Sequence, residues 1–157
     1  MKMRAFFTCI LKSFLCMLLH MIGFAQTCYS NTIIDWVGPL VLCEEEISRI
    51  PPEIPGIYML HSFNPHRGRY TAIYVGKTGD LTRRLIQHME TQSTSPDVRL
   101  LRLSLQMYFT AAPVFERTER DSIEAGLIRL LRPACNRQVP RVSPVYPNLP
   151  LFAISLS

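Results

Sequence analysis

Cysteine is scarce in this chain, five in 157 residues with no CxxC pair. That excludes a disulfide scaffold and gives no paired-thiol signal for zinc. Apolar runs of about 18 uninterrupted residues are missing as well, so no clear membrane span is written in the sequence. Charged residues make up only 18%, but a hydrophobic content of 48% is too high for a disordered tail or a linker. No internal repeat is present, which removes solenoids and propellers. The length fits one ordinary domain with a core able to fold without staples. A large multidomain enzyme and a polytopic membrane protein are thereby excluded.

Acidic residues are absent from the first twelve positions, which carry Lys2, Arg4 and Lys12. Ser13 to Phe24 is nearly all apolar, and Gly23-Phe24-Ala25 places small residues two apart. A positive start, a short apolar run and a small-x-small exit describe a secretory signal peptide over residues 1–25. The expected location is therefore exported, periplasmic or extracellular. The competing readings are a membrane anchor over residues 5–25, for which the run is short, and a cytoplasmic protein with an over-extended start. Cleavage would leave no stable membrane span and three cysteines, Cys28, Cys43 and Cys135. An odd number leaves at least one free thiol, and their pairing stays open.

Without the leader, 14 Lys+Arg face 12 acids, so the basic character is local. Between His66 and Arg141 stand 13 basic and 7 acidic residues, and twelve of the basic ones are arginine. Arginine forks onto phosphate with paired donors. Such a stretch permits a polyanionic partner and equally describes a solvated surface.

Residues 26–53 form an N-terminal extension, in which Glu44-Glu45-Glu46 before Ile47 and Ile50 suggests a short amphipathic helix. Pro51, Pro52 and Pro55 deliver the chain, extended, into Gly56. Residues 57–63 and 69–76 read as two strands joined by a turn at 64–68. Asp80 predicts the N-cap of a helix reaching about Glu90. Residues 91–97 read as a polar loop, and 101–110 as a third strand. Thr118-x-x-Asp121 resembles a capping box for a helix closed by Pro133. Residues 139–157, rich in proline, predict an irregular tail. The expected class is α+β, a three-stranded antiparallel sheet with flanking helices in the order β-β-α-β-α.

Three features point to chemistry. A symmetric turn at 64–68 sets Tyr58 directly opposite Tyr74 on one face of the hairpin. Gly56 and Gly76 beside them mark close approach of another group. On the helix after Asp80, the step of about 100° per residue puts Leu81, Leu85, Ile86 and Met89 on the apolar face. Arg84 and His88 share the flank of that face, whereas Arg83 points away. On the last helix, Glu124 falls inside the apolar arc of Ile123, Leu127, Ile128, Leu130 and Leu131. An unpaired buried carboxylate costs several kcal/mol, so Glu124 must meet a cation. Arg84 and a metal ion are the two candidates.

Gly56-Ile57-Tyr58, Tyr74-Val75-Gly76-Lys77, Arg84, and Glu124 followed by Leu127-Ile128, Pro133 and Asn136 together resemble the GIY-YIG nuclease domain. The first triplet matches to the letter, and the second carries Val for the central Ile. The match covers about residues 54–138. The resemblance implies the GIY-YIG fold and an endonuclease that hydrolyses phosphodiester bonds, with DNA as partner. It implies one Mg²⁺ or Mn²⁺ on Glu124 and no small-molecule cofactor. Arg84 would neutralise charge on the scissile phosphate. Tyr58 or Tyr74 would accept a proton from water, assisted by Lys77 or His88. Gly56, Gly76 and Asn136 would support the site, Asn136 by holding the end of the second helix. No helix-hairpin-helix or zinc-finger reader accompanies the motifs, so a structure-selective or nonspecific cut is expected. The alternative is a catalytically inactive nucleic-acid-binding module of the same fold.

Overall fold

A computed structural model describes residues 32–90 and 96–150, so the leader reading lies outside the described residues. Four strands form one antiparallel sheet: β1 (Val37–Val41), β2 (Gly56–Asn64), β3 (Arg69–Thr78) and β4 (Met107–Pro113). Their spatial order is β1-β4-β2-β3, which leaves β1 and β3 at the edges. Among the described residues four helices accompany them: α1 (Glu44–Ile47), α2 (Leu81–Met89), α3 (Pro96–Ser104) and α4 (Arg117–Leu131). The class is α+β, as expected.

The sheet has one strand more than predicted. Gly38-Pro39 reads as a turn in isolation, but β1 is an edge strand, where an irregular register and a proline are tolerated. The stretch after residue 95 is also reassigned. Pro96 and Asp97, expected in a loop, open α3, and the third predicted strand begins at Met107 rather than residue 101. Leu101, Leu103 and Leu105 alternate like a strand. The spacing that decides is Val98 to Leu101, which turns both side chains toward the core and leaves Leu103 and Leu105 exposed. Helix α4 starts at Arg117 with Glu116 as a cap that makes no side-chain bond, so Thr118 sits inside the first turn instead of capping it. Arg120 holds the junction instead, donating to the carbonyls of Val114 and Phe115.

Each face of the sheet buries its own core. On one, Tyr58, Leu60 and Phe109 pack under Leu81 and Leu85 of α2, Val98 of α3 and Ile47 of α1. On the other, Ile57, Met59 and Val75 pack under Ile123, Leu127 and Ile128 of α4. The proline-rich segment after α4 is irregular and wraps this second face. Val145 N donates to Ser122 O at 2.9 Å, Val145 and Leu149 join the core, and Asn148 binds Ile34 and Trp36. Gly126 makes that crossing possible, since a Cβ there would run into the Val145 carbonyl.

Candidate active site

The β2–β3 hairpin carries the two tyrosines, and its register differs from the symmetric one. Asn64 pairs with Arg69, and a bulge between Leu60 and His61 then brings Leu60 opposite Tyr74 and Tyr58 opposite Gly76. The turn moves the pairing by one residue and the bulge by another. A single slip would have sent one tyrosine to the other face; two slips restore it. Tyr58 and Tyr74 are therefore diagonal rather than direct neighbours, with ring centroids 6.1 Å apart. Pairing with Tyr58 explains Gly76: the phenol ring lies over its Cα, and a Cβ there would overlap the ring. Gly56 is similarly pressed, by the Ala112 carbonyl and Leu81.

Helix α2 supplies the cover. Asp80 caps it as predicted, its side chain accepting from Arg83 N at 3.0 Å. That start turns Leu81, Leu85 and His88 inward and leaves Arg83 exposed. His88 Nε2 and Tyr58 Oη are 2.9 Å apart in a buried hydrogen bond, and Arg84 Nε donates to the same phenol oxygen at 3.1 Å. Tyr74 stacks at a tilt against His88, with centroids 5.5 Å apart. Burial first, and the neighbouring Tyr74 second, raise the Tyr58 pKa above the ordinary tyrosine value despite Arg84. Burial, helped by the Arg84 charge, lowers the His88 pKa to about 4, so the ring is neutral at physiological pH. Tyr58 is fully buried, and Tyr74 is half-buried.

Helix α4 brings Glu124 to the other side of β3. Its side chain is 13% exposed, and the cation it meets is Lys77 rather than Arg84. Lys77 Nζ donates to Glu124 Oε2 at 2.7 Å and lies 3.0 Å from Asp121 Oδ1. The wheel set Glu124 deep among leucines, but Leu130 is 40% exposed and the buried face runs through Ile123, Ala125, Leu127 and Ile128. Glu124 thus borders the core. Desolvation pulls the Lys77 pKa down, but attraction to Glu124 and Asp121 outweighs it and the net shift is upward.

Asn136 does more than close a helix. Its side chain accepts from Val75 N and donates to Val75 O, both at 2.8 Å, while Cys135 N donates to Ile73 O at 2.9 Å. The segment after α4 is thereby clipped onto the free edge of β3, flanking Tyr74. A cleft of about 440 Å³ opens there, with Tyr74, Glu124, Asn136 and Arg137 in its walls. Arg137 is paired with Asp97 of α3 through two bonds of 3.0 Å. The predicted residues thus form two groups on opposite faces of one edge strand. Tyr58, Tyr74, Arg84 and His88 stand together under α2, Lys77 and Glu124 together under α4, and Tyr74 shares a cleft with Glu124. Sequence reasoning missed Asp121, which it read as part of a cap. The signal was its three-residue spacing from Glu124, which puts both acids on one helix face.

Among the described residues no three His, Cys, Asp or Glu side chains converge as a metal cage. Mg²⁺ does not require one, because it keeps several waters and takes one or two carboxylates. The Glu124 carboxylate at the cleft is a hard ligand of the kind such an ion takes, and Lys77 is the cation it would displace.

No family model and no curated protein matches the chain. Solved structures of the GIY-YIG N-terminal endonuclease domain of UvrC from Thermotoga maritima do. Its magnesium-bound form is 26% identical at a TM-score of 0.43, over 59% of this chain and 97% of that one. An asparagine-to-alanine variant bound to its catalytic divalent cation is 24% identical at a TM-score of 0.44, over 60% and 98%. A tyrosine-to-phenylalanine variant is 26% identical at 0.43, over the same shares. The family that the residue motifs resemble is also the family of these solved structures.

Proposed function

We propose that the chain is a metal-dependent endonuclease of the GIY-YIG kind, hydrolysing phosphodiester bonds in DNA with one Mg²⁺ or Mn²⁺. The observation that carries this reading is the cleft where Tyr74 and Glu124 meet, backed by the Tyr58–Arg84–His88 hydrogen-bond network. Glu124 would hold the ion, which when bound polarises a phosphoryl oxygen and offsets developing charge.

The chain's own residues divide the remaining work. Tyr74 accepts a proton from the attacking water, since it is the tyrosine that reaches the cleft. Tyr58 is sealed, and its raised pKa opposes phenolate formation. Its part is to hold Arg84 and His88 in place. Arg84, which stands beside both tyrosines, offsets the negative charge that gathers on the scissile phosphate. His88, neutral and fully buried, packs against both phenol rings. As water oxygen bonds phosphorus, the ester bond to the leaving oxygen breaks, and that oxygen takes up a proton from solvent, to which Tyr74 returns the proton of the attacking water. Asn136, bonded to Val75 N and O, holds β3 in place beside Tyr74. Residues 54–138 are the nuclease unit in this reading, with residues 26–53 and 139–157 as additions that carry no recognised reader. Export through the leader would direct the activity toward DNA outside the cytoplasm, and the mass of the mature chain tests whether residues 1–25 are removed.

Nicking of supercoiled plasmid and cleavage of single-stranded DNA with Mg²⁺ or Mn²⁺ test the reaction. Glu124→Gln and Arg84→Ala are each expected to lower the rate by about 10²-fold or more, and Tyr74→Phe by a similar factor. Circular dichroism melts establish that the variants fold. Wild type and variants equally inert across both ions and both substrates would end the catalytic reading. DNA retained in a shift assay under those conditions would support the inactive binding module.

A further inference from the structure

Two carboxylates hold one ammonium group. Asp121 and Glu124 lie three residues apart on α4 and reach Lys77 Nζ from β3 at 3.0 and 2.7 Å. Only the contact with Glu124 has hydrogen-bond geometry. Asp121 Oδ1 is buried and has no hydrogen bond, and the ion pair with Lys77 is what meets it. The lysine is thus bound to one acid and leaning on a second. A divalent cation on Glu124 and the lysine on the same carboxylate would repel each other, so Lys77 is a built-in competitor for that site. Sent into solvent, it would leave Asp121 with a buried oxygen and no counter-charge.

We propose that Asp121 is a positioning residue that takes Lys77 from Glu124 when a divalent cation binds, which rests on the metal-dependent reading above. The exchange needs little motion, because both acids already touch the same nitrogen. It exchanges the Glu124 hydrogen bond for one to Asp121 and leaves the carboxylate of Glu124 available. It also keeps the lysine charge beside the cleft.

Isothermal titration of the full chain with Mn²⁺ tests this without reference to turnover. Four proteins are compared with wild type: Glu124→Gln, Asp121→Asn, Lys77→Met and the double variant Asp121→Asn/Lys77→Met. Asp121→Asn is expected to weaken Mn²⁺ binding about fivefold or more, because the lysine then has only Glu124 to hold. In the Lys77→Met background the same substitution is expected to change affinity less than about twofold, since no competitor remains. An equal loss in both backgrounds would mean that Asp121 acts on the ion itself and would overturn the exchange. So would an Asp121→Asn affinity equal to wild type. Loss of binding in Glu124→Gln keeps the metal reading intact while these comparisons are made. A wild type that takes up no Mn²⁺ would remove both proposals.

Discussion

The two faces of the sheet use polar residues in opposite ways. Under α2, Tyr58, His88 and Arg84 form a network in which a buried phenol oxygen meets both an imidazole and a guanidinium. Under α4, Lys77, Asp121 and Glu124 form a charged trio with side-chain exposures of 35%, 30% and 13%. Burial rewards a single satisfied geometry and penalises any change of charge. Partial exposure lets ion pairs exchange partners at modest cost. The first group therefore fixes where Tyr74 and Arg84 stand, and the second is the one able to exchange its cation.

The comparison can be sharpened by acid. His88 is held near pKa 4 by burial and Arg84, and His61, hydrogen-bonded to Thr110 on the opposite face, is held near 4 by burial. Both values lie below the ordinary 6.5 of the unfolded chain, so the unfolded state binds more protons between about pH 6.5 and 4. Stability is full above that window and is lost as pH falls through it, by roughly 3 kcal/mol for each ring. Denaturant titrations from pH 7 to 4 should show this loss, and His88→Gln should roughly halve it. A flat profile would contradict the burial of both rings.

Next in size is Gly76→Ala. The new methyl group collides with the Tyr58 ring, and overpacking at such a site costs about 1–3 kcal/mol. Urea melts should register the loss, and Gly76→Ala combined with Tyr58→Leu should recover part of it, because the colliding ring is gone. Failure of that rescue would mean that the glycine serves the backbone and not the phenol. The smallest effect is expected for Asp97→Asn, which breaks the exposed pair with Arg137. Its melting temperature should match wild type, with a difference from wild type confined to low salt.

Local chemistry made much of this legible beforehand. The hairpin, the Asp80 cap, the inward face of Leu81 and Leu85 and the stop before Pro133 depend on residues within a few positions of each other. The motif residues likewise stood in order along the chain, and they do assemble around β3. Errors arose where a decision was not local. The leucines at 101, 103 and 105 satisfy a strand pattern, and only the packing of Val98 and Leu101 against the core selects a helix. Gly38-Pro39 hid β1, because an edge strand needs a neighbour before it exists.

What the sequence determined by itself was the alternation, capping and charge inventory: two tyrosines on a hairpin, an arginine and histidine one turn apart, and an acid within the apolar arc of a helix. The tertiary structure decided which of these meet. The bulge in β3, set by pairing with β2, placed Tyr58 over Gly76 and left Tyr74 beside the cleft. The approach of α4 to an edge strand chose Lys77 over Arg84 as the partner of Glu124 and drew Asp121 into the same contact. Distances between side chains on different elements depend on packing across the whole core, and that information is not held in any short stretch of chain.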